Sequence, residues 1–316
     1  MTAKIKTRQG HSSHYNRRQR KMTMDCYLLL AIPIIGILLF TAYPIFWVFK
    51  WAFYNYNGIP SYTQYIGWQN FKTLFTTDLT YFKTWITTLE FVAMKVPFEM
   101  VLATLLSVLL YKGINKGSAF FRTMYFLPHL IGTAIVGLIF SNMFGFFGII
   151  NGMLVKHNII QEGILWFGSK GWAMIILVLA STWQSLGINI LYVLSALTNI
   201  PGELYEAARL DGATGVTEFF KITLPMIAPV FQKIVLLALV GTLSTGELII
   251  VLTNGAPANS TLTVMAYLTK TFLPGFADTA TPAIGYGCAM SAITTILFAV
   301  IGVTFNRITS KISDSI

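Results

Sequence analysis

The 316-residue sequence predicts an all-α integral membrane protein with six transmembrane helices and both termini cytoplasmic, and three observations carry that reading. Hydrophobic residues make up 55% of the chain and charged residues only 11%, against roughly 25% charged in soluble domains. Six apolar stretches are long enough to cross a bilayer, which takes about 20 residues for roughly 30 Å of hydrocarbon. Lys and Arg are unequally divided between alternate loops, the bias that sets membrane orientation.

The first stretch, 27–50, follows a basic tail, 1–26, that carries Lys4, Lys6, Arg8, Arg17, Arg18, Arg20 and Lys21. The apolar run is too long for a signal-peptide core and no small-residue cleavage site closes it, so it reads as a retained span behind a cytoplasmic anchor. The second, 86–111, contains Glu90, Lys95 and Glu99. Lys95 and Glu99 are four apart and share a helix face, where each partly neutralises the other. The third to sixth run 122–144, 172–197, 229–252 and 282–305, and the fifth holds Lys233 and Glu247. Together they form one domain, 27–305, followed by a short cytoplasmic tail, 306–316. The longest outer connection, 51–85, is rich in Trp and Tyr and reads as an interfacial segment.

With the N-terminus inside, the cytoplasmic side holds fourteen Lys and Arg, and the other side holds six: Lys50, Lys72, Lys83, Lys156, Lys170 and Lys270. Most of the net charge of +10 is thereby a topological signal, and no basic soluble domain is left to bind nucleic acid. Cys26 and Cys288 lie far apart in apolar surroundings and make neither a disulfide framework nor a metal cluster. His11, His14, His129 and His157 show no zinc spacing, and His129 reads as a packing or pore residue. No phosphate-binding G-x-x-x-x-G-K-[ST] occurs; the nearest string, GILWFGSK at 163–170, lacks the Gly-Lys pair.

The cytoplasmic loop 198–228 is polar and charged in a chain otherwise poor in charge. Asn199 suits a helix cap and Pro201 the first turn. Glu203 and Glu206 favour the helix N-terminus, Arg209 is spaced to pair with Glu206, and Gly212 permits the reversal that ends a short helix. Pro225 is expected to break the helix before the fifth span.

This loop reads EAARLDGATGVTEFFKITLP, in which Glu206, Ala207, Ala208, Gly212, Ile222, Leu224 and Pro225 fit the pattern E-A-A-x3-G-x9-I-x-L-P. It resembles the signature loop of permease subunits of binding-protein-dependent ABC importers. Flanking stretches resemble the carbohydrate branch of that family, in its maltose-type and glycerol-phosphate-type members. These are Tyr43-Pro44, GWQNF at 67–71, FFRTMYFLP at 120–128, GIIN at 148–151, Thr182-Trp183 and LTNGAPANSTLT at 252–263. The last departs from the usual Gly-Gly-Pro by Ala256.

The resemblance implies a type I importer permease fold and transport of a di- or oligosaccharide by alternating access, with glycerol phosphate or another polyol as the alternative substrate. It implies that Glu206, Ala207, Ala208, Arg209, Asp211 and Gly212 form a coupling helix that docks on an ATPase subunit. ATP and Mg would be held there, and no cofactor by this chain. The expected partners are a second homologous permease, two ATPase subunits or domains, an external solute-binding protein and membrane lipid.

Substrate sites in transporters lie near the midplane among polar groups on apolar helices. Trp183, Gln184, Ser185 and Asn189 interrupt the fourth span, and Thr242, Ser244, Thr245 and Glu247 the fifth. Hydroxyls, amides and an aromatic face suit a sugar. The competing reading of these residues is helix packing. A buried Glu247, with Lys95 and Glu99, would instead suit a proton-coupled secondary transporter.

Overall fold

The computed structural model describes residues 10–112, 117–272 and 283–313. Six helical stretches among them are long and apolar enough to cross a membrane: Met22–Trp51, Leu79–Tyr111, Thr133–Lys156, Lys170–Thr198, Gly215–Leu243 and Ile284–Lys311. Their order matches the six expected stretches, and their boundaries differ in ways that shape the site. Residues 1–9, 113–116, 282 and 314–316, to which the expected tails, a loop and the start of the sixth span extend, lie outside the described residues.

The first span joins α1 (Gly10–Ile37) to α2 (Tyr43–Trp51) through a π-helical turn, Leu38–Ala42. Proline at 44 cannot donate a backbone hydrogen bond, and its ring crowds the carbonyl four residues back. The wider turn relieves this, with Tyr43 N–H reaching the carbonyl of Leu38. Beyond α2 the chain forms a two-stranded antiparallel ribbon, β1 (Tyr54–Asn55) with β2 (Gln64–Tyr65), and then α3 (Gln69–Thr76). Buried Asn70 on α3 donates to the carbonyls of Ala52 (2.9 Å) and Tyr54 (3.0 Å), fastening the segment to the end of the first span.

The second span is α4 (Leu79–Lys112), 34 residues long. At 1.5 Å per residue it is about 50 Å, well beyond the hydrocarbon thickness. Asp78 caps its start, accepting from Tyr81 N–H (2.9 Å) and from the hydroxyls of Tyr267 (2.9 Å) and Tyr286 (2.6 Å).

The third span departs from the continuous helix expected over 122–144. The chain instead forms α5 (Ser118–Phe126), a 3-10 turn at Leu127–Leu130, α6 (Thr133–Phe144) and, after a bend, α7 (Ile149–Lys156). Pro128 cannot continue the hydrogen-bond ladder, and Ile131 and Gly132 adopt extended backbone. Asn151 on α7 holds the following loop. Its Nδ2 donates to the carbonyls of Phe146 (3.0 Å) and Ile164 (2.9 Å), while its Oδ1 accepts from Ile164 N–H (3.2 Å) and Trp166 Nε1 (2.9 Å). The GIIN stretch therefore has a structural role here.

The fourth span, α8 (Lys170–Thr198), is the most buried and makes its most extensive interface with α4. Gly187 allows α5 to approach, since a Cβ there would lie 2.1 Å from the carbonyl oxygen of Tyr125. After α9 (Gly202–Leu210), the fifth span runs through α10 (Gly215–Glu218), a second π turn (Phe219–Thr223) and α11 (Leu224–Leu243). Pro225 thus does not break the helix. As at Pro44, a π turn absorbs it, with Leu224 N–H bonded to the carbonyl of Phe219. The helix does stop at Ser244, before the expected limit of 252, and restarts as α12 (Glu247–Leu252). α13 (Val264–Phe272) and α14 (Ile284–Ser313) complete the order.

Asn151→Ala leaves several buried polar groups without partners, and orphaned groups cost about 1–3 kcal/mol each. It should lower the thermal unfolding midpoint in detergent clearly, whereas Gly152→Ala, which points into open space, should leave it unchanged or raise it.

Candidate functional site

Two regions bring the expected residues together. The first is a cavity of about 620 Å³ bordered by the second, third, fourth and fifth spans. One wall is the face of α8 that carries Ser181, Gln184, Ser185, Ile188, Asn189 and Tyr192. Their steps of three and one residues are those of a single helical stripe. The opposite side is made by the interruption of the third span, His129 to Thr133, and by Leu237, Ala238, Gly241 and Thr245 where the fifth stops.

Interrupted backbone inside a membrane must find partners within the protein. Gln184 Nε2 supplies one, donating to the carbonyl of Ile131 (3.1 Å) and to Thr133 Oγ1 (3.1 Å). Thr263 Oγ1 supplies another, donating to the carbonyl of Thr245 (2.9 Å). Gly246 passes so close to α13 that a Cβ would sit 2.9 Å from the carbonyl carbon of Met265. Both breaks are therefore held in place by neighbouring helices.

Lys95 also lines the cavity, and Glu99 lies behind it with no exposed surface. Lys95 Nζ is 2.5 Å from Glu99 Oε2, as their spacing on α4 predicts. The other carboxylate oxygen accepts from Ser185 Oγ and from Asn189 Nδ2 (2.8 Å), both on α8. One carboxylate thus takes three donors and ties α4 to α8 at the cavity wall.

Of the residues expected to line a path, Gln184, Ser185, Asn189 and Thr245 line this cavity. Four stand elsewhere, among them Ser244, which is exposed and donates to the carbonyl of Val240 (2.9 Å). Trp183 is off the stripe, its ring tilted against Phe140 at 5.9 Å. Thr242 is buried and donates to the carbonyl of Ala238 (2.6 Å). Glu247 is exposed in the first turn of α12, where the helix dipole favours a carboxylate without a counter-charge. His129, Thr133, Ser181 and Tyr192, with Lys95, are the cavity's other polar side chains among those described. The helical stripe on α8 was the sequence signal for Ser181 and Tyr192; Pro128 and Gly132 were the signal for the unwound segment.

The second region is α9 and the turn after it. The positions of the caps differ from expectation: Asn199 ends α8, donating to the carbonyl of Ser195 (2.9 Å), and Pro201 stands at the N-cap of α9. Glu203 occupies the first turn. Gly212 ends the helix at φ +80°, with Ala213 N–H bonded to the carbonyl of Ala208 and Gly212 N–H to that of Arg209. This paired arrangement requires a left-handed residue after the helix, which favours glycine.

Arg209 pairs with Glu218 (3.2 Å) and not with Glu206. The turn at Gly212 folds α10 back beside α9, so the nearer carboxylate in space is nine residues away in sequence. A second tie, between the hydroxyls of Tyr205 and Thr223 (3.0 Å), locks α9 to the π turn. Glu206, Ala207, Asp211 and Gly212 remain exposed, and Leu210 is 89% exposed, an apolar side chain with no cover among the described residues.

Known proteins place this architecture. No protein-family model matches the chain. The lactose transport system permease protein LacF of Rhizobium radiobacter is 32% identical over 268 residues, covering 83% of this chain and 89% of that protein. The arabinooligosaccharides transport system permease protein AraP of Bacillus subtilis is 31% identical over 292 residues, covering 92% and 88%. A solved bacterial alginate ABC transporter, in complex with an alginate pentasaccharide-bound periplasmic protein, contains a chain similar at a TM-score of 0.78. It is 25% identical, with 94% of this chain and 97% of that one covered.

Removing one partner of a buried ion pair strands the other charge and costs about 3–5 kcal/mol, while replacing both with apolar groups can be near neutral. Lys95→Met and Glu99→Met singly should therefore each destabilise the protein more than the double substitution does. Thermal unfolding of the three variants in detergent reads the order directly.

Proposed function

Because the chain belongs to the permease subunits of carbohydrate ABC importers, multi-pass proteins of the bacterial cytoplasmic membrane, we propose that the central cavity is its translocation path and α9 its coupling helix. The observation that carries the first half is the meeting of two helix interruptions on one polar stripe. Discontinuous helices at the midplane are how transporters build sites in which backbone and side chains together bind a solute. Gln184, Ser185, Asn189, Thr245, Thr133 and Tyr192 offer amides and hydroxyls, the groups a polyhydroxylated substrate requires. A di- or oligosaccharide is the favoured class, in keeping with the names of LacF and AraP. Family membership leaves the proton-coupled carrier reading without support.

The second half rests on the exposed face of α9. Glu206, Ala207, Leu210 and Asp211 present small, acidic and apolar groups to a partner, while Arg209 and Tyr205 brace the helix against the fifth span. A push on α9 would thereby reach α11, and with it the break at Ser244 that borders the cavity. ATP and Mg are assigned to separate ATPase subunits, and this chain acts without a cofactor of its own. The bias of Lys and Arg supports both termini and α9 on the cytoplasmic side. A second permease is supported by the first span, whose most apolar window has no residue buried among the described residues. A solute-binding protein outside completes the assembly, as in the alginate complex.

Leu210→Asp and Ala207→Trp alter only exposed positions of α9 and leave its braces intact. In membranes that carry the whole transporter, both should abolish substrate-stimulated ATP hydrolysis and uptake while the permease accumulates normally. Unchanged hydrolysis and uptake in both would overturn the coupling role of α9.

A further inference from the structure

A second cavity lies apart from the path and has no part in the function described. It measures about 440 Å³ and is walled by Phe49, Phe53, Trp68, Phe71, Phe75 and, on α14, Ala292, Ile293 and Ile296, with Lys72 as the one polar lining residue among those described. It lies between the end of the first span, the aromatic segment that follows it and the first half of the sixth span, and clustered aromatic side chains of this kind favour the membrane interface. We propose that it binds one phospholipid with a net negative headgroup, the acyl chain lying among the rings and the phosphate on Lys72.

The walls are preformed. Asn70, next to Phe71 and close behind Trp68, is hydrogen-bonded to the carbonyls of Ala52 and Tyr54 on either side of Phe53. Gly285 lies against the ribbon so closely that a Cβ would be 2.0 Å from the Tyr54 oxygen, which fixes α14 to the same segment. Phe53, Trp68 and Phe71 pack edge-to-face or tilted at 5.0–5.4 Å. The rings are nevertheless left open on the cavity side: Trp68 is 70% exposed, and Phe75 and Ile296 about half.

Charge selects the occupant. Among the described residues no carboxylate lines the cavity and no ion pair engages Lys72. A lone exposed lysine at the rim of an apolar groove matches a phosphate joined to a hydrocarbon chain. A soluble sugar would find no hydroxyl or amide there. The GWQNF stretch and the lysine after it thus form a lipid-holding element, whether or not α9 couples to an ATPase.

Native mass spectrometry of the full chain, purified in detergent with equimolar phosphatidylglycerol and phosphatidylcholine, tests this. One retained lipid per chain is expected, with phosphatidylglycerol favoured about fivefold, the order of about 1 kcal/mol for one lysine beside an anionic headgroup. Lys72→Gln should keep a lipid and lose the preference. Ile293→Trp, which fills the groove, should lose the lipid whatever its headgroup, and thermal unfolding of each variant confirms the fold. Three results would overturn the proposal: no lipid on the unaltered chain, the same headgroup preference in Lys72→Gln, or undiminished lipid in Ile293→Trp.

Discussion

One buried carboxylate organises the interior of this permease. Glu99 has no access to water, so its charge must be met by donors within the protein. Lys95 on its own helix supplies the counter-charge, and Ser185 and Asn189 on α8 supply hydrogen bonds. Those two α8 residues also face the cavity. The interaction that neutralises Glu99 is thus also the one that fixes how the cavity wall presents its polar groups. Replacing any of the four would change both the helix contact and the lining.

The interruptions of the third and fifth spans follow from the same constraint. A bilayer offers no water to an unpaired carbonyl, so a helix can open only where a neighbour satisfies it. Gln184 does this for Ile131, and Thr263 for Thr245. Gly187 and Gly246 let the neighbouring backbones come close enough. Polar side chains on these helices therefore divide into two kinds. Thr242 and Trp183 serve packing, as polar and aromatic residues in membranes often do, while the α8 stripe serves the cavity.

Six spans were legible because about 20 apolar residues in a row admit few other interpretations. The breaks were not, since hydropathy averages over Phe126 to Gly132 and over Thr242 to Leu252 without registering a change of backbone. Pro128 marked the first break, but Pro225 carried the same apparent signal and a π turn absorbs it. At α9 the helix, its acidic first turn and the glycine stop were legible from local chemistry. The partner of Arg209 was not, because Glu218 reaches it only after the chain reverses at Gly212. Likewise the spacing of Lys95 and Glu99 revealed a pair on one helix face, while the contribution of α8 depended on how two distant spans pack.

Accessibility of the cavity from the two sides of the membrane tests the central claim most directly. Thr133→Cys, Gln184→Cys and Thr245→Cys would be placed singly in the assembled transporter, with Cys26→Ser and Cys288→Ala, and exposed to an impermeant thiol reagent in vesicles of either orientation. If the two helix breaks border the translocation path, labelling at all three positions changes sides between the nucleotide-free and ATP-trapped states, while Thr242→Cys stays unreactive throughout. Labelling from neither side in both states, or a pattern that Thr242→Cys shares, would contradict it.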